Sequence, residues 1–277
     1  TFCDKGNTVK SYFYARLPEK ITSFGTYRDS VAYPDSMQIS GQGTGMYIEF
    51  PTVAGEVVEM QVGLSYTSVE NARMNLEKET AGKCFDEVKD NARRVWNEKL
   101  SKIEVEGGKE TDKIKFYTAL YHALLGRGVS NDVDGSYITH SKKIAKIPCD
   151  ENGIPLYSHH NTDGIWGGFW NLTQVWTLAY PEIMESYVCS TLDFSEDTGG
   201  WLHDGEAAGV YTNGVQTNFQ GLIAAAAFHS GVFRGDVEKL WKAVYQNEMG
   251  YEGRPDGAGR YDNGEFVKRG YVPLHDY

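Results

Sequence analysis

The sequence predicts a two-part chain, an antiparallel β-sandwich segment followed by an array of paired α-helices. Two observations carry that prediction. Up to about residue 66 the apolar residues alternate with polar ones. Beyond residue 68 they recur at three- and four-residue steps. Period 2 marks a half-buried strand and period 3.6 an amphipathic helix. Strands first and helices after them point to separate β and α/α units, with a boundary near residues 67–80.

The elements follow in order. Ser11–Leu17 is aromatic-rich and is closed by Pro18. Thr44–Phe50 and Val57–Leu64 alternate, with Gly and Pro breaks between them. Ser68 is the expected cap of a helix over Val69–Glu79. A longer helix is expected over Phe85–Leu100, where Val88, Ala92, Val95 and Trp96 share a face. Lys102–Glu106 reads as a short strand before Gly107-Gly108. Asp112–Leu125 reads as a helix.

Residues 126–165 read as a long polar loop, and long loops in compact domains are commonly functional. Helices are expected again over Gly168–Leu178 and Glu182–Leu192, with Pro181 at the first position of the second. Two more are expected over Gln216–His229 and Val237–Glu248, the latter capped by Asp236. The Ala224–Ala227 run suits close helix approach. The tail after Gly250 shows no periodicity.

Composition excludes several function classes. The chain has 277 residues and a net charge of -11, with no basic stripe for a phosphate backbone, so nucleic acid is not an expected partner. No apolar run reaches the roughly 18 residues of a membrane span. The four cysteines, Cys3, Cys84, Cys149 and Cys189, form no CxxC pair and are too few for a disulfide scaffold. Gly41-Gln42-Gly43-Thr44-Gly45 lacks the Lys and the helix of a phosphate loop and reads as a turn.

The 18 Tyr and 6 Trp fit either a large core or rings that cover sugar faces. The densest mixture of aromatic, amide and acidic residues spans 156–219. It includes His159, His160, Asp163, Trp166, Trp170, Asn171, Trp201, Asp204, Glu206, Asn213 and Asn218. Aromatic faces cover the C–H side of a sugar ring while amides and carboxylates take its hydroxyls. Asp163, Asp204 and Glu206 are the acids of this stretch placed in loops, either as sugar-facing groups or as solvated charges. His159-His160 is a poor metal pair, since neighbours on an extended chain point apart. Asp132-Val133-Asp134-Gly135 has some flavour of a calcium loop but lacks the later ligands. Asn171-Leu172-Thr173 is a glycosylation sequon that falls inside an expected helix.

Five segments together resemble glycoside hydrolase family 92, the calcium-dependent exo-acting α-mannosidases. They are Val62–Arg73 (VGLSYTSVENAR), Phe116–Leu125 (FYTALYHALL), Asp132–Tyr137 (DVDGSY), Gly200-Trp201-Leu202 and Gly270-Tyr271-Val272-Pro273. The resemblance spans about residues 44–277. It implies a β-sandwich packed on an (α/α)6 barrel. The expected division is 1–66 as part of the sandwich, 67–110 as linker helices and 111–277 as the first part of the barrel.

The resemblance further implies an inverting hydrolysis of terminal α-mannose on a glycan substrate, with an acid on one face and a base activating water on the other. It implies calcium as a cofactor and a secreted, periplasmic or cell-surface location. The family's acid motif, of Tyr-Thr-Glu-Gly-Asn type, and its base motif, of Gly-Asn-Asp-Asp type, are not found in these residues. The chain is therefore expected to be an internal piece of a longer enzyme, inactive alone, with most calcium ligands elsewhere. A sugar-binding or inactive relative on the same scaffold is the alternative.

By this resemblance the sugar-contacting residues are Trp170 and Asn171, then Thr212, Asn213 and Asn218; Trp166, Trp201 and Glu206, from the same aromatic and acidic stretch, are expected as nearby walls. The family pattern is altered here. Asn171 stands for an Asp, Gln174 for an Arg, Tyr211 for a Glu and Phe219 for a His. Arg to Gln removes a bidentate donor.

Overall fold

A computed structural model describes residues 9–17, 20–80, 82–125, 128–162, 165–211, 218–255 and 257–274. Strand β1 (Tyr12–Arg16) is followed by β2 (Ser23–Arg28), β3 (Val31–Pro34), β4 (Thr44–Glu49) and β5 (Gln61–Ser65). All pairings are antiparallel. β1 pairs with β5, Phe13 facing Leu64, and β2 is the centre of a β3-β2-β4 sheet. The β2–β3 hairpin turns through Asp29 at φ 51, a conformation that Asp tolerates better than most residues. Val57–Met60, expected as strand, lies outside β5, which begins at Gln61.

Helix α1 (Val69–Thr80) starts where Ser68 Oγ accepts the Asn71 N–H at 3.0 Å, the expected cap. It packs on the β1–β5 sheet across Gly63, where a Cβ would overlap the Ala72 carbonyl oxygen. The opposite face of that sheet leaves Phe13, Val62 and Leu64 exposed. Helix α2 (Phe85–Leu100) matches its expected span, and α3 (Glu110–Leu125) begins two residues early. The expected strand at Lys102–Glu106 is absent. That segment is an irregular link, held where Tyr117 Oη donates to the Ile103 carbonyl at 3.2 Å.

The long loop carries a small hairpin of β6 (Ser136–Ile138) and β7 (Ile144–Lys146). Next comes one helical turn, α4 (Ile165–Gly168), then α5 (Leu172–Ala179), so the single helix expected over 168–178 is broken. Gly167-Gly168 weaken helix propagation there, and Trp170 and Asn171 occupy the break. Helix α6 (Pro181–Asp197) extends five residues beyond its expected end. Ser195 is buried on it although polar, so an apolar pattern undercounts its inward face.

β8 (Glu206–Ala207) and β9 (Val210–Tyr211) form a minimal hairpin. They lead to α7 (Phe219–His229), α8 (Val237–Met249) and α9 (Asn263–Arg269). Asp236 caps α8 by accepting the Lys239 N–H at 2.9 Å. The tail thus contains a helix that periodicity did not mark.

The core lies among α5, α6, α7 and α8. Trp176, Tyr180, Met184, Tyr187, Ile223 and Ala227 are all at most 1% exposed. Full burial of one such side chain stabilises by roughly 1.5–3 kcal/mol. Ala224 and Ala227 belong to this core, in keeping with close helix approach. Lys99 at the end of helix α2 and Lys102 just beyond it both reach Glu182 on α6. No helix among the described residues is long and apolar enough to cross a membrane.

Candidate functional site

Two aromatic segments meet at the break before α5. Phe169 stacks on Phe219, the first residue of α7, at 4.5 Å and 9°. Trp170 meets the same ring edge-on at 6.0 Å and stands 72% exposed. A helical Trp is usually buried, and the break is what releases this one. Asn171 is exposed beside it, at the N-cap of α5 with no capping bond from its side chain. The amide is thus left for another partner. Phe219, where the family pattern has a His, suits a ring packed flat on Phe169.

The start of α7 is braced from beneath. Asp204 accepts the N–H groups of Phe219 and Gln220, both at 3.3 Å, at the helix end where a carboxylate is favoured. Asn218 sits in the left-handed region at φ 58 and is 5% exposed. Its amide donates to Glu248 at 2.8 Å and its oxygen accepts from Asn247 at 2.6 Å. Asn247 also bonds the Leu202 backbone in both directions, and Asn263 donates to the Asn247, Glu248 and Gly250 carbonyls. Asn218 is therefore committed to the fold. Burial raises the Glu248 carboxyl above its usual range, against the opposing Asn218 bond.

Trp201 and Glu206, expected as walls, are inside. Trp201 is 4% exposed, and Cβ atoms at Gly250 or Gly259 would strike its ring. Glu206 is 1% exposed on β8, so it is not a solvated loop charge; the same holds for Asp204 at 2%. Trp166 is 49% exposed on α4. Thr212, Asn213 and Asp163 lie outside the described residues, as does the side chain of Tyr211.

Glu206 Oε1 accepts the Gly209 N–H at 2.7 Å, closing the β8–β9 turn. Burial pushes its carboxyl up to about 8, with the Gly209 bond and Lys142 opposing. Its Oε2 faces His159 Nε2 at 3.8 Å. His159 stacks on Tyr137 at 4.1 Å and contacts Ser190 Oγ through Nδ1. Burial, then the neighbouring His160, hold it down to about 3. The sequence places His159 in the sugar-type mixture and beside His160 as a poor metal pair, and neither reading points to Glu206.

A second cluster joins the sheet side to this region. Asp132 Oδ2 accepts from Ser65 Oγ at 2.9 Å, from Asn71 Nδ2 at 2.9 Å and from Thr67 Oγ1; Oδ1 accepts from Asn75 Nδ2 at 2.7 Å. Asp134 takes bonds from Ser136 and Lys146. The carboxylates of the calcium-like loop are thus used by protein donors. Among the described residues no group of three or more His, Cys, Asp or Glu could hold a metal ion. The described residues do not fit a calcium cage.

The chain is thus a β part followed by helix pairs, with an exposed Trp170 ring at a helix break. The family model for the glycosyl hydrolase family 92 catalytic domain matches residues 71–277, and the chain belongs to that family. Three solved structures share the fold. The family 92 inverting mannosidase from Bacteroides thetaiotaomicron VPI-5482 matches with a TM-score of 0.85 and 22% identity, over 96% of this chain and 35% of that one. A family 92 α-mannosidase from Bacteroides thetaiotaomicron matches with a TM-score of 0.79 and 23% identity, over 96% and 35%. Its complex with mannoimidazole matches with the same TM-score and identity, over 96% and 34%. The chain thus spans about a third of the length of these structures. No curated protein matches it.

Proposed function

We propose that this chain is the sandwich edge and first barrel segment of an inverting exo-α-mannosidase, and that Trp170 and Asn171 contribute to its sugar site. The observation that carries the reading is the exposed Trp170 ring, standing on the Phe169–Phe219 stack beside an amide without a capping role. Such a ring can cover one face of a pyranose while Asn171 bonds its hydroxyls. Inversion needs a second carboxyl group on the far side of the sugar, with room for water between. Asp204 is bonded to the start of α7 and Glu206 to the β8–β9 turn, so neither is free for that work. The family's acid and base motifs are not found in these residues, and on this reading the 277 residues are inactive alone and the acid and base come from further polypeptide. A glycan is the substrate, and a secreted, periplasmic or cell-surface location follows from the same reading.

The test is a binding and turnover experiment on the 277-residue chain. An aryl α-mannoside should show no turnover above background. Mannoimidazole should bind, and Trp170→Ala should weaken it at least about tenfold, in line with loss of roughly 1–3 kcal/mol from a buried contact. Turnover by the isolated chain, or binding indifferent to Trp170→Ala, overturns the reading.

A further inference from the structure

Asn218, Phe219 and Gln220 open α7, and the outer two turn their side chains inward. Asn218 is 5% and Gln220 1% exposed. Gln220 Nε2 donates to Tyr187 Oη at 2.8 Å. Phe219 stands between them, and its backbone N–H, like that of Gln220, is held by Asp204. With both neighbours pinned inside, the Phe219 ring is left on the side that meets Phe169 at 4.5 Å and Trp170 at 6.0 Å.

Asn218 is where this arrangement is set. Its backbone is left-handed, at φ 58 and ψ 31, a state that Asn tolerates better than most residues. Its side chain makes no capping bond to α7. It reaches across to α8 instead, donating to Glu248 Oε1 at 2.8 Å and accepting from Asn247 Nδ2 at 2.6 Å. Asn247 is fully buried, and its amide also bonds the Leu202 backbone at 2.8 and 2.9 Å. From α9, the Asn263 amide reaches the Asn247 and Glu248 carbonyls, both at 3.0 Å. Glu248 can approach α7 because Gly221 has no Cβ. One built there would lie 2.5 Å from Glu248 Oε1.

A buried polar network whose members are satisfied is rigid and holds one arrangement. We propose that Asn218, Asn247 and Glu248 form an interior latch between α7 and α8 that sets the place of the Phe219 ring, and through it of Trp170. The three are positioning residues for sugar binding, and none of them needs to touch the sugar. Release of Asn218 from α8 would let its backbone leave the left-handed state. The Phe219 ring would then swing off Phe169, and Trp170 would lose its support.

The link to sugar rests on the mannosidase reading; the latch between helices and rings does not. The test uses the full 277-residue chain. Asn218→Gly accepts the left-handed backbone without strain and removes both side-chain bonds. Gly221→Ala keeps every bonding group, favours the helix and pushes Glu248 away from Asn218. Each should weaken mannoimidazole binding about tenfold and abolish the nuclear Overhauser contacts between the Phe169 and Phe219 rings. Glu248→Gln, which keeps the acceptor, should bind within about twofold of wild type, whereas Glu248→Ala should lose about tenfold. Ring contacts that survive in both Asn218→Gly and Gly221→Ala overturn the proposal. So does wild-type affinity after the ring contacts are lost, or a Glu248→Gln variant as weak as Glu248→Ala. If Asn218→Gly does not fold, Gly221→Ala and the Glu248 pair decide it. If wild type does not bind mannoimidazole, the sugar-site reading falls alone, and the ring contacts in the variants decide the latch.

Discussion

Asp132 and Glu206 are both buried carboxyl groups on short polar segments, and the fold treats them in opposite ways. Asp132 collects four side-chain donors from β5, α1 and the turn between them. Glu206 has one backbone donor and a histidine nitrogen out of hydrogen-bond range. The contrast teaches that an acid within a dry interior is either saturated with donors or kept near neutrality. The first arrangement makes a brace. The second leaves a group that responds to pH.

The largest effect is expected at the brace. Asp132→Ala orphans Ser65, Thr67, Asn71 and Asn75 together, and should cost about 3–5 kcal/mol, since each buried group left without its acceptor costs roughly 1–3 kcal/mol and some of the four re-pair with one another. Urea unfolding of the full chain reads it. A loss below about 1 kcal/mol would mean that the four donors find other acceptors.

Acid should act next, through the second region. His159 and His203 are both held near 3 by burial, well below the usual imidazole value. A group with a lowered folded pKa stabilises the fold above its unfolded pKa and loses that contribution as pH falls. Melting temperature should therefore drop as pH goes from about 6.5 toward 3. His159→Gln should flatten part of that drop. An unchanged acid profile in this variant would contradict the assignment.

Glu206 has the opposite sign. Its folded pKa is raised, so its stabilising contribution is full below about 4.5 and is lost as pH rises to about 8. The stability of Glu206→Gln relative to wild type should rise between pH 6 and pH 9, measured by melting temperature at each pH. A constant difference would show that Glu206 titrates normally. The smallest effect on folding belongs to Trp170→Ala, within about 0.5 kcal/mol for an exposed side chain, although mannoimidazole binding should fall sharply. Loss of stability above 2 kcal/mol would make Trp170 a packing residue.

Much of the frame was legible because periodicity reports which face is buried. Helix α2 and the caps Ser68 and Asp236 follow from local spacing alone. The errors share one cause, which is tertiary contact. Ser136–Ile138 and Ile144–Lys146 are too short to show alternation and pair only through their register. The α4–α5 break depends on two glycines inside an otherwise helical pattern. Helix α9 is anchored by Asn263, whose amide serves carbonyls 13 to 16 residues earlier.

The candidate site was partly legible. Residue type and family pattern singled out Trp170 and Asn171. Asn218, by contrast, spends both ends of its amide on Glu248 and Asn247, and Trp201 is enclosed by backbone. Composition cannot separate an amide that faces a ligand from one that faces a helix. For His159 the available signal was its place beside a second His, which pointed toward metal rather than toward a carboxyl 47 positions away.

The Asp132 cluster bears on how the molecule can be dissected. The change of periodicity near residue 67 invites a cut there, to express the helical part alone. That cut would separate Ser65 from the fragment and leave Thr67 at a fraying terminus. Asp132 would keep only the donors on α1. From Asp132 the next residues back along the chain, Asn131 and Ser130, bond directly to the His159 backbone. A deletion mapped to the strands would then reach the histidine side of the molecule. Any trimmed version should begin before β5, with Ser65 retained on the same polypeptide as Asp132.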